Sequence, residues 1–164
     1  MKILVMSDTH GDAQVIQHVR TLHSDVDAVF HCGDSELTSD HEVLKGIHIV
    51  QGNCDWGEAF PEEKVIEVEG SRIYITHGHL FNVKNTLMPL KYRAEEKNAD
   101  VVLFGHSHLL GAEMDNGVLF LNPGSLKQPR GRNEKSYAII QRKSDNWQVQ
   151  FYSDEGILLE DINL

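Results

Sequence analysis

Five short apolar runs in this chain end in the same way, and that repetition constrains the fold more than any other feature. Residues 2–7 close on S7-D-T-H-G11, 27–31 on H31-C-G-D-S35, 47–51 on Q51-G-N-C-D55, 72–76 on T76-H-G-H79 and 101–104 on G105-H-S-H108. Each run has the length and composition of a buried strand. Each stops at a glycine-containing turn that carries Asp, Asn or His. One such turn says little, because Asp, Asn and Gly are ordinary turn residues. Five in succession, all bearing groups able to bind a metal, say more. In α/β sheets ligands settle outside the carboxyl ends of the strands. Glycine there lets the backbone turn sharply and lets side chains crowd one point.

The segments between the runs fill in the architecture. Val15, Val19 and Leu22 recur at helical spacing across residues 12–23, with Asp12 placed as N-cap. Runs and helix signals alternate over the first third, which points to parallel strands with crossover helices. Residues 64–69 and 72–76 read as a hairpin around Gly70-Ser71. A second helix is predicted over 83–97, with Val83, Leu87, Leu90 and Ala94 on one face and Pro89 kinking or dividing it. Residues 109–114 and 118–121 flank D115-N-G117, a strong hairpin signal, and 136–142, 147–152 and 157–162 read as further strands. An α/β fold of two sheets packed face to face with helices outside follows from this pattern. The length of 164 residues favours a single domain over 1–164.

Composition narrows the function. Two cysteines, Cys32 and Cys54, rule out a disulfide framework. The apolar start is too short for a signal peptide before it meets Asp8, and no stretch approaches the ~20 apolar residues of a membrane span, so a cytoplasmic protein without membrane contact is expected. The net charge of −10 argues against a long nucleic acid as partner. A small phosphate ester remains compatible, because a local metal charge outweighs a diffuse negative field. Self-association through an exposed sheet edge is left open.

Asp8, His10, Asp34, Asn53, His77, His106 and His108 are the candidate ligands. Seven are too many for one tetrahedral ion. With one bridging carboxylate they suit two ions of four protein ligands each, held ~3.5–4 Å apart, an arrangement fit for in-line displacement at phosphorus. Imidazole nitrogen mixed with Asp and Asn oxygen suits two divalent transition metals: Mn, with Fe, Zn, Ni or Co as alternatives.

The ordered set D8-T-H10, G33-D34, G52-N53-C-D55, H77-G-H79 and G105-H106-S-H108 resembles the calcineurin-like metallophosphoesterases, and within them the small phosphodiesterase branch of bacteria and archaea. N122-P-G-S125 and Pro129-Arg130 also resemble that branch. The resemblance implies a four-layer αββα sandwich of two mixed β-sheets flanked by helices. It implies one metal on Asp8, His10 and His108, another on Asn53, His77 and His106, and Asp34 bridging them. It implies hydrolysis of a phosphodiester by in-line attack of a dimetal-bound hydroxide. A non-catalytic protein-interaction scaffold of the same fold and a nuclease are the alternatives. The first would tolerate lost ligands; the second would carry extra DNA-binding elements.

One position departs from the family pattern. Many relatives have His after the Asn of the third motif, as proton donor to the leaving group; here it is Cys54. A thiol, with an ordinary pKa of about 8.5, is a poorer donor, which favours good leaving groups. His79 or water could donate instead. Cys54 could equally fill a small apolar gap. Asp55 either orients a neighbour or finishes its turn. His79 and Arg130 could contact the substrate phosphate, Arg130 bidentately. Cys32 and His31 read as buried structure, His31 with a supporting role; His18, His23, His41 and His48 read as surface or packing residues, and Trp56 as packing.

Overall fold

The computed structural model describes residues 1–57 and 59–164. The strands are β1 (Lys2–Met6), β2 (Ala28–His31), β3 (Ile47–Ile49), β4 (Glu63–Val68), β5 (Ser71–Thr76), β6 (Val101–Leu103), β7 (Gly111–Asp115), β8 (Val118–Asn122), β9 (Ser136–Lys143), β10 (Asn146–Ser153) and β11 (Leu158–Asn163). The α-helices are α1 (Ala13–Leu22) and α2 (Met88–Lys97). One sheet has six strands in the order β11-β10-β9-β1-β2-β3, the other five in the order β4-β5-β6-β8-β7. Both are mixed: β1, β2 and β3 run parallel, as do β5, β6 and β8, while β9 is antiparallel to β1 and β4 to β5.

The continuous apolar runs are explained by burial on both faces. Ile3 and Val5 point into the core between the sheets, while Leu4 and Met6 point outward against α1. In β6, Val101 and Leu103 face the inter-sheet core and Val102 faces the α2 side. Three apolar layers therefore separate helix, sheet, sheet and helix, the αββα sandwich. Antiparallel β10 instead alternates buried with half-buried or exposed positions along its length, as a one-sided strand should.

Local expectations fare differently in detail. The Asp12 side chain does cap α1, accepting from the Val15 amide at 3.1 Å. The buried face of α1 is Val15, Ile16 and Val19; Leu22 lies at the last turn and is 43% exposed. The second helix begins later than its apolar spacing indicates. Pro89 sits in its first turn, where no amide is needed, so it starts the helix rather than kinking it. Val83 and Leu87 still pack with Leu90 and Ala94, from the preceding loop. The β2–β3 crossover carries only the short 3-10 turn Glu42–Leu44, not an α-helix. The β4–β5 turn falls one residue earlier, since Ser71 pairs with Val68. Asn116 and Gly117 take left-handed angles (φ 48° and 81°) between paired Asp115 and Val118, as the β7–β8 hairpin requires. Trp56 does not pack: it is 87% exposed.

Glu63 fastens α2 to its sheet. Its carboxylate takes the Arg93 guanidinium bidentately, lies 3.0 Å from Lys97 Nζ and accepts the Tyr74 hydroxyl at 3.0 Å. Arg93, with Lys97 and Tyr74, holds the Glu63 carboxyl down to about 2, against a smaller upward push from burial. A carboxyl depressed from 4.5 contributes stability that is present above pH 4.5 and lost as pH falls toward about 2. Because the group is partly solvated, Glu63→Gln should lower Tm at pH 7 by roughly 1–3 °C. In thermal melts that gap should close between pH 4.5 and 2; a gap unchanged at pH 2 would overturn this account of α2 docking.

Candidate metal centre

The five motif turns lie beyond the carboxyl ends of β1, β2, β3, β5 and β6. Backbone bonds continue the ladders past the strands. The Asp8, His10 and Gly11 amides donate to the Gly33, Asp34 and Ser35 carbonyls at 3.0, 3.0 and 2.8 Å. The Gly105 amide donates to the His77 carbonyl at 3.0 Å. The two pairs of turns are then tied across the sheets. Asp8 Oδ2 accepts the His106 amide at 3.2 Å, and Ser125 Oγ donates to the Asp8 carbonyl at 2.8 Å. Asn122 Nδ2 donates to the Gly105 carbonyl and to Ser107 Oγ, at 3.0 and 2.9 Å.

Close approach explains two glycines better than turn geometry does. A Cβ on Gly52 would meet the Asp34 carboxylate and amide, and one on Gly105 would meet the Ser7 and Asp8 side chains. Left-handed angles in these turns are shared between glycines, Gly11, Gly33 and Gly78 (φ 84°, 102° and 102°), and the candidate ligands themselves. Asp8, His10, Asp34, His106 and His108 have φ of 53°, 41°, 55°, 68° and 59°. Such angles cost about 1 kcal/mol or more at each non-glycine residue and gather where function requires them.

The hydrogen bonds behind each ring decide what its front presents. His77 Nδ1 lies 2.7 Å from the Cys32 carbonyl and His108 Nδ1 lies 2.6 Å from that of Gln128. A carbonyl only accepts, so both Nδ1 atoms carry protons, and each ring, when neutral, presents its Nε2 lone pair. His10 Nδ1 is likewise held by the Glu36 carboxylate. The exposed lone pairs then face one another and face oxygen. His10 Nε2 is 3.4 Å from His108 Nε2, and His108 Nε2 is 3.0 Å from Asp8 Oδ1. His77 Nε2 is 3.0 Å from Asn53 Oδ1 and 3.3 Å from Asp34 Oδ2. Asp8 Oδ1 is buried with no hydrogen-bond partner among the described residues, despite that short approach to His108. Acceptors packed this closely need a cation between them, and nitrogen–oxygen donors of this mix suit a divalent transition metal.

Among the described residues three groups of three have donor atoms within 4.8 Å of one another, and two of them join only candidate ligands: Asp8, His10 and His108, and Asp8, Asp34 and His77. Asp8 is the carboxylate common to both. Asp34 offers Oδ2 to His77, while its Oδ1 accepts the Cys54 amide at 2.8 Å. Burial would raise the Asp34 carboxyl, but contact with His77 and the Cys54 amide holds it well below the usual carboxylate range. Burial likewise opposes, and contact with His108 and the field of His77 outweigh it, so Asp8 also stays ionised. His106 stands with its ring centroid 5.0 Å from that of His77. Burial, with the nearby charges of His77 and Lys84, pushes it down to about 4.

The remaining candidates divide. Asp55 is buried and orients its neighbours: its carboxylate accepts the Asp34, Glu36 and Gly52 amides at 2.8, 2.8 and 2.7 Å. Cys54 is half-buried, and burial together with Asp34 pushes its thiol up to about 11. The His79 ring lies 5.4 Å from that of His77, with a buried Nδ1 that has no hydrogen-bond partner among the described residues. Arg130 donates its amide to the His108 carbonyl at 3.1 Å; its exposed guanidinium has no polar partner among the described residues. His31 is fully buried beneath the centre, bonded to Thr9 Oγ1 and the Gly33 amide, and desolvation lowers it to about 4. Cys32 is buried and free. His23, His41 and His48 bond Tyr137, cap the Glu42–Leu44 turn and stack on Phe30.

Sequence reasoning missed Glu36 and gave no role to Asn122 and Ser125. Glu36 stands two residues beyond Asp34 in the same turn, and an acidic residue so placed was the available signal. Its donor atom also lies within 4.8 Å of those of His10 and Cys54.

These features define a hydrolase-type metal centre at the shared edge of two sheets. The family model for the calcineurin-like phosphoesterase superfamily domain matches residues 1–145, and the chain belongs to that superfamily. It is 43% identical over 163 residues to a Bacillus subtilis (strain 168) protein named probable metallophosphoesterase YsnB, spanning 99% of this chain and 96% of that one. It is 28% identical over 188 residues to phosphodiesterase YfcE of Escherichia coli (strain K12), spanning 98% and 97%. A crystal structure from Streptococcus pneumoniae TIGR4, described as a conserved uncharacterized protein and predicted phosphoesterase, matches with TM-score 0.94 and 38% identity over 99% of this chain and 97% of that one. The chain is thus a metallophosphoesterase, of a family that works with divalent metals. Among the described residues no helix is long and apolar enough to cross a membrane.

If Glu36 fixes the His10 ring, Glu36→Ala should weaken Mn²⁺ affinity roughly tenfold, and Glu36→Gln should restore part of the loss. Calorimetric metal titration reads this directly; unchanged affinity in Glu36→Ala would remove Glu36 from the centre.

Proposed function

We propose that this chain hydrolyses phosphodiesters by in-line displacement at a centre holding two divalent transition ions, Mn in first place. The observation that carries the reading is the convergence of the His10, His77 and His108 Nε2 atoms on the Asp8, Asp34 and Asn53 oxygens, with the Nδ1 protons of His77 and His108 committed to backbone carbonyls. Asp8, His10 and His108 would hold one ion, Asn53, His77 and His106 the other, with Asp34 between. When bound, such ions supply positive charge to the phosphoryl oxygens and make water a competent nucleophile at neutral pH.

The chain's own groups would do the rest. The Cys32 and Gln128 carbonyls and Glu36 fix the ring tautomers, which sets where each lone pair points. Arg130 and Lys84 place exposed positive charge around the cup, Arg130 beside His108 and Lys84 near His106. They would steady the non-bridging phosphate oxygens in an otherwise acidic protein. A thiol held near 11 is a weak proton donor to a departing alkoxide. Esters whose leaving group needs no proton should therefore react best. The similarity to a protein named phosphodiesterase supports a diester.

With Mn²⁺, bis(p-nitrophenyl) phosphate should turn over at least about tenfold faster than p-nitrophenyl phosphate, the leaving group needing no acid in either case. No turnover of either ester with Mn, Fe, Zn, Ni or Co would overturn the reading. Asp34→Asn should cut diester turnover roughly 100-fold or more, because both ions lose a shared charge. Metal analysis should show fewer than two ions per chain; full occupancy would remove Asp34 from the bridge.

The pH dependence has a definite sign. His77 is opposed by burial but raised above 6.5 by Asp34 and Asp8, whereas His106 lies near 4. A ring must be neutral to bind a metal, so protons compete first at His77. Apparent Mn²⁺ affinity should therefore begin to fall above pH 6.5 as the pH is lowered, well before His106 titrates. Affinity that stays flat to pH 5 would exclude His77 as a ligand.

A further inference from the structure

Of the three groups of side chains whose donor atoms lie within 4.8 Å of one another, the paired-ion reading accounts for two. The third joins His10, Glu36 and Cys54. Only His10 among them is a candidate ligand of the pair. This group combines an imidazole nitrogen, a carboxylate oxygen and a sulfur, and sulfur is the donor that the other two groups lack.

The His10 ring faces two ways. Its Nε2 is turned to His108 Nε2 at 3.4 Å and to Asp8 Oδ1 at 3.9 Å, while its Nδ1 is held by Glu36. An ion shared by His10 and Glu36 would therefore take Nδ1 and leave Nε2 to the cup. Each of the three residues is pinned by its backbone. The His10 amide donates to the Asp34 carbonyl at 3.0 Å, the Glu36 amide to the Asp55 carboxylate at 2.8 Å and the Cys54 amide to the Asp34 carboxylate at 2.8 Å. The group is also open to solvent: the Glu36 side chain is 41% exposed and Cys54 is half-buried, so water can complete a coordination shell.

The local field favours a dication. Burial, together with the charges of Asp34, Glu36 and Asp55, pushes the Cys54 thiol up to about 11. The carboxylates that hinder loss of the thiol proton attract a divalent ion, and a bound ion deprotonates a coordinating thiol outright. Cys54 is therefore inert alone and a ligand beside a metal. The other cysteine, Cys32, is packed in the core between the sheets.

We propose that His10, Glu36 and Cys54 form a third ion site, outside the pair, for a thiophilic divalent cation, Zn²⁺ in first place. Zinc takes sulfur, nitrogen and oxygen donors together and accepts three protein ligands with water in the fourth position. A thiolate selects zinc, whereas manganese prefers oxygen. As the metal bonds form, the thiol proton and the proton between His10 Nδ1 and Glu36 pass to solvent. The third site and the pair would then share one imidazole, through which zinc could act on the pair without occupying it.

The test loads the full chain with Mn²⁺ and then titrates it with Co²⁺, a spectroscopic stand-in for Zn²⁺. A cobalt–thiolate bond gives a near-ultraviolet charge-transfer band that nitrogen and oxygen ligands do not give. The parent should develop this band, and Cys54→Ala should not. Glu36→Gln should raise the half-saturating Co²⁺ concentration roughly tenfold or more. Glu42→Gln, on the Glu42–Leu44 turn and in none of the three groups, is the control and should titrate like the parent. After dialysis against Zn²⁺, the parent should hold one more ion per chain than Cys54→Ala, with thermal melts checking that both are folded. A parent without the band overturns the proposal. So does a band that persists in Cys54→Ala, which would assign the sulfur to Cys32. A band whose half-saturation Glu36→Gln leaves unchanged would make Cys54 a ligand of the pair and also overturns it. If Mn²⁺ does not bind as a pair, the two-ion reading fails by itself, and the cobalt band still decides this site.

Discussion

Lone pairs that repel one another are gathered at one edge of this protein, and the rest of the structure holds them there. Three imidazoles are locked from behind by acceptors, at the Cys32 and Gln128 carbonyls and at Glu36, so their free nitrogens can only face inward. Inside they meet Asp8, Asp34 and Asn53, which are also acceptors. Ionised carboxylates and imidazole nitrogens gathered this closely call for positive charge among them, from protons or from metal ions. With it, each of those contacts becomes attractive, and the cup is preorganised rather than assembled on demand.

Holding such a cup takes a stiff frame. Parallel strands buried on both faces supply it, since a strand with Ile3 and Val5 in one core and Leu4 and Met6 in another cannot slide without exposing a whole face. The strands fix where each turn begins. Hydrogen bonds between turns then force left-handed angles on Asp8, His10, Asp34, His106 and His108. The strain is local, and the buried braces Asp55, Asn122 and Ser125 keep it from relaxing. The precision of the cup is thus a property of residues that are not themselves candidate ligands.

Much of this was legible in the sequence, and the limits have physical causes. Strands buried on both faces announce themselves as unbroken apolar runs, and a turn rich in Asp, His and Gly marks their ends. The layered architecture followed from those runs. Helix boundaries did not, because Pro89 is as much at home in a first turn as at a kink, and Val83 and Leu87 pack on the same side from a loop as they would from a helix. The role of Asp55 was undecided because an orienting carboxylate and a turn carboxylate look alike until their amide partners are known. Glu36 was passed over because its contact with His10 bridges two turns 26 residues apart. Trp56 was misread because a large apolar ring favours packing on average, yet its turn leaves it in solvent.

The pairing of β1 with β9 has a consequence for how the protein comes into being. All seven candidate ligands have been synthesised by His108, yet the strand that carries the first two is flanked on one side by a partner that begins at Ser136. Lys2 lies opposite Gln141, one of the most distant pairings in the chain. Contacts of such long range form late, since the loop they close must be drawn in first. A chain emerging from the ribosome therefore carries its donor set for some time as loose imidazole, carboxylate and amide groups. Until β9 has been made, one edge of β1 stays without its partner strand, and an unpaired edge is a template for wrong pairing.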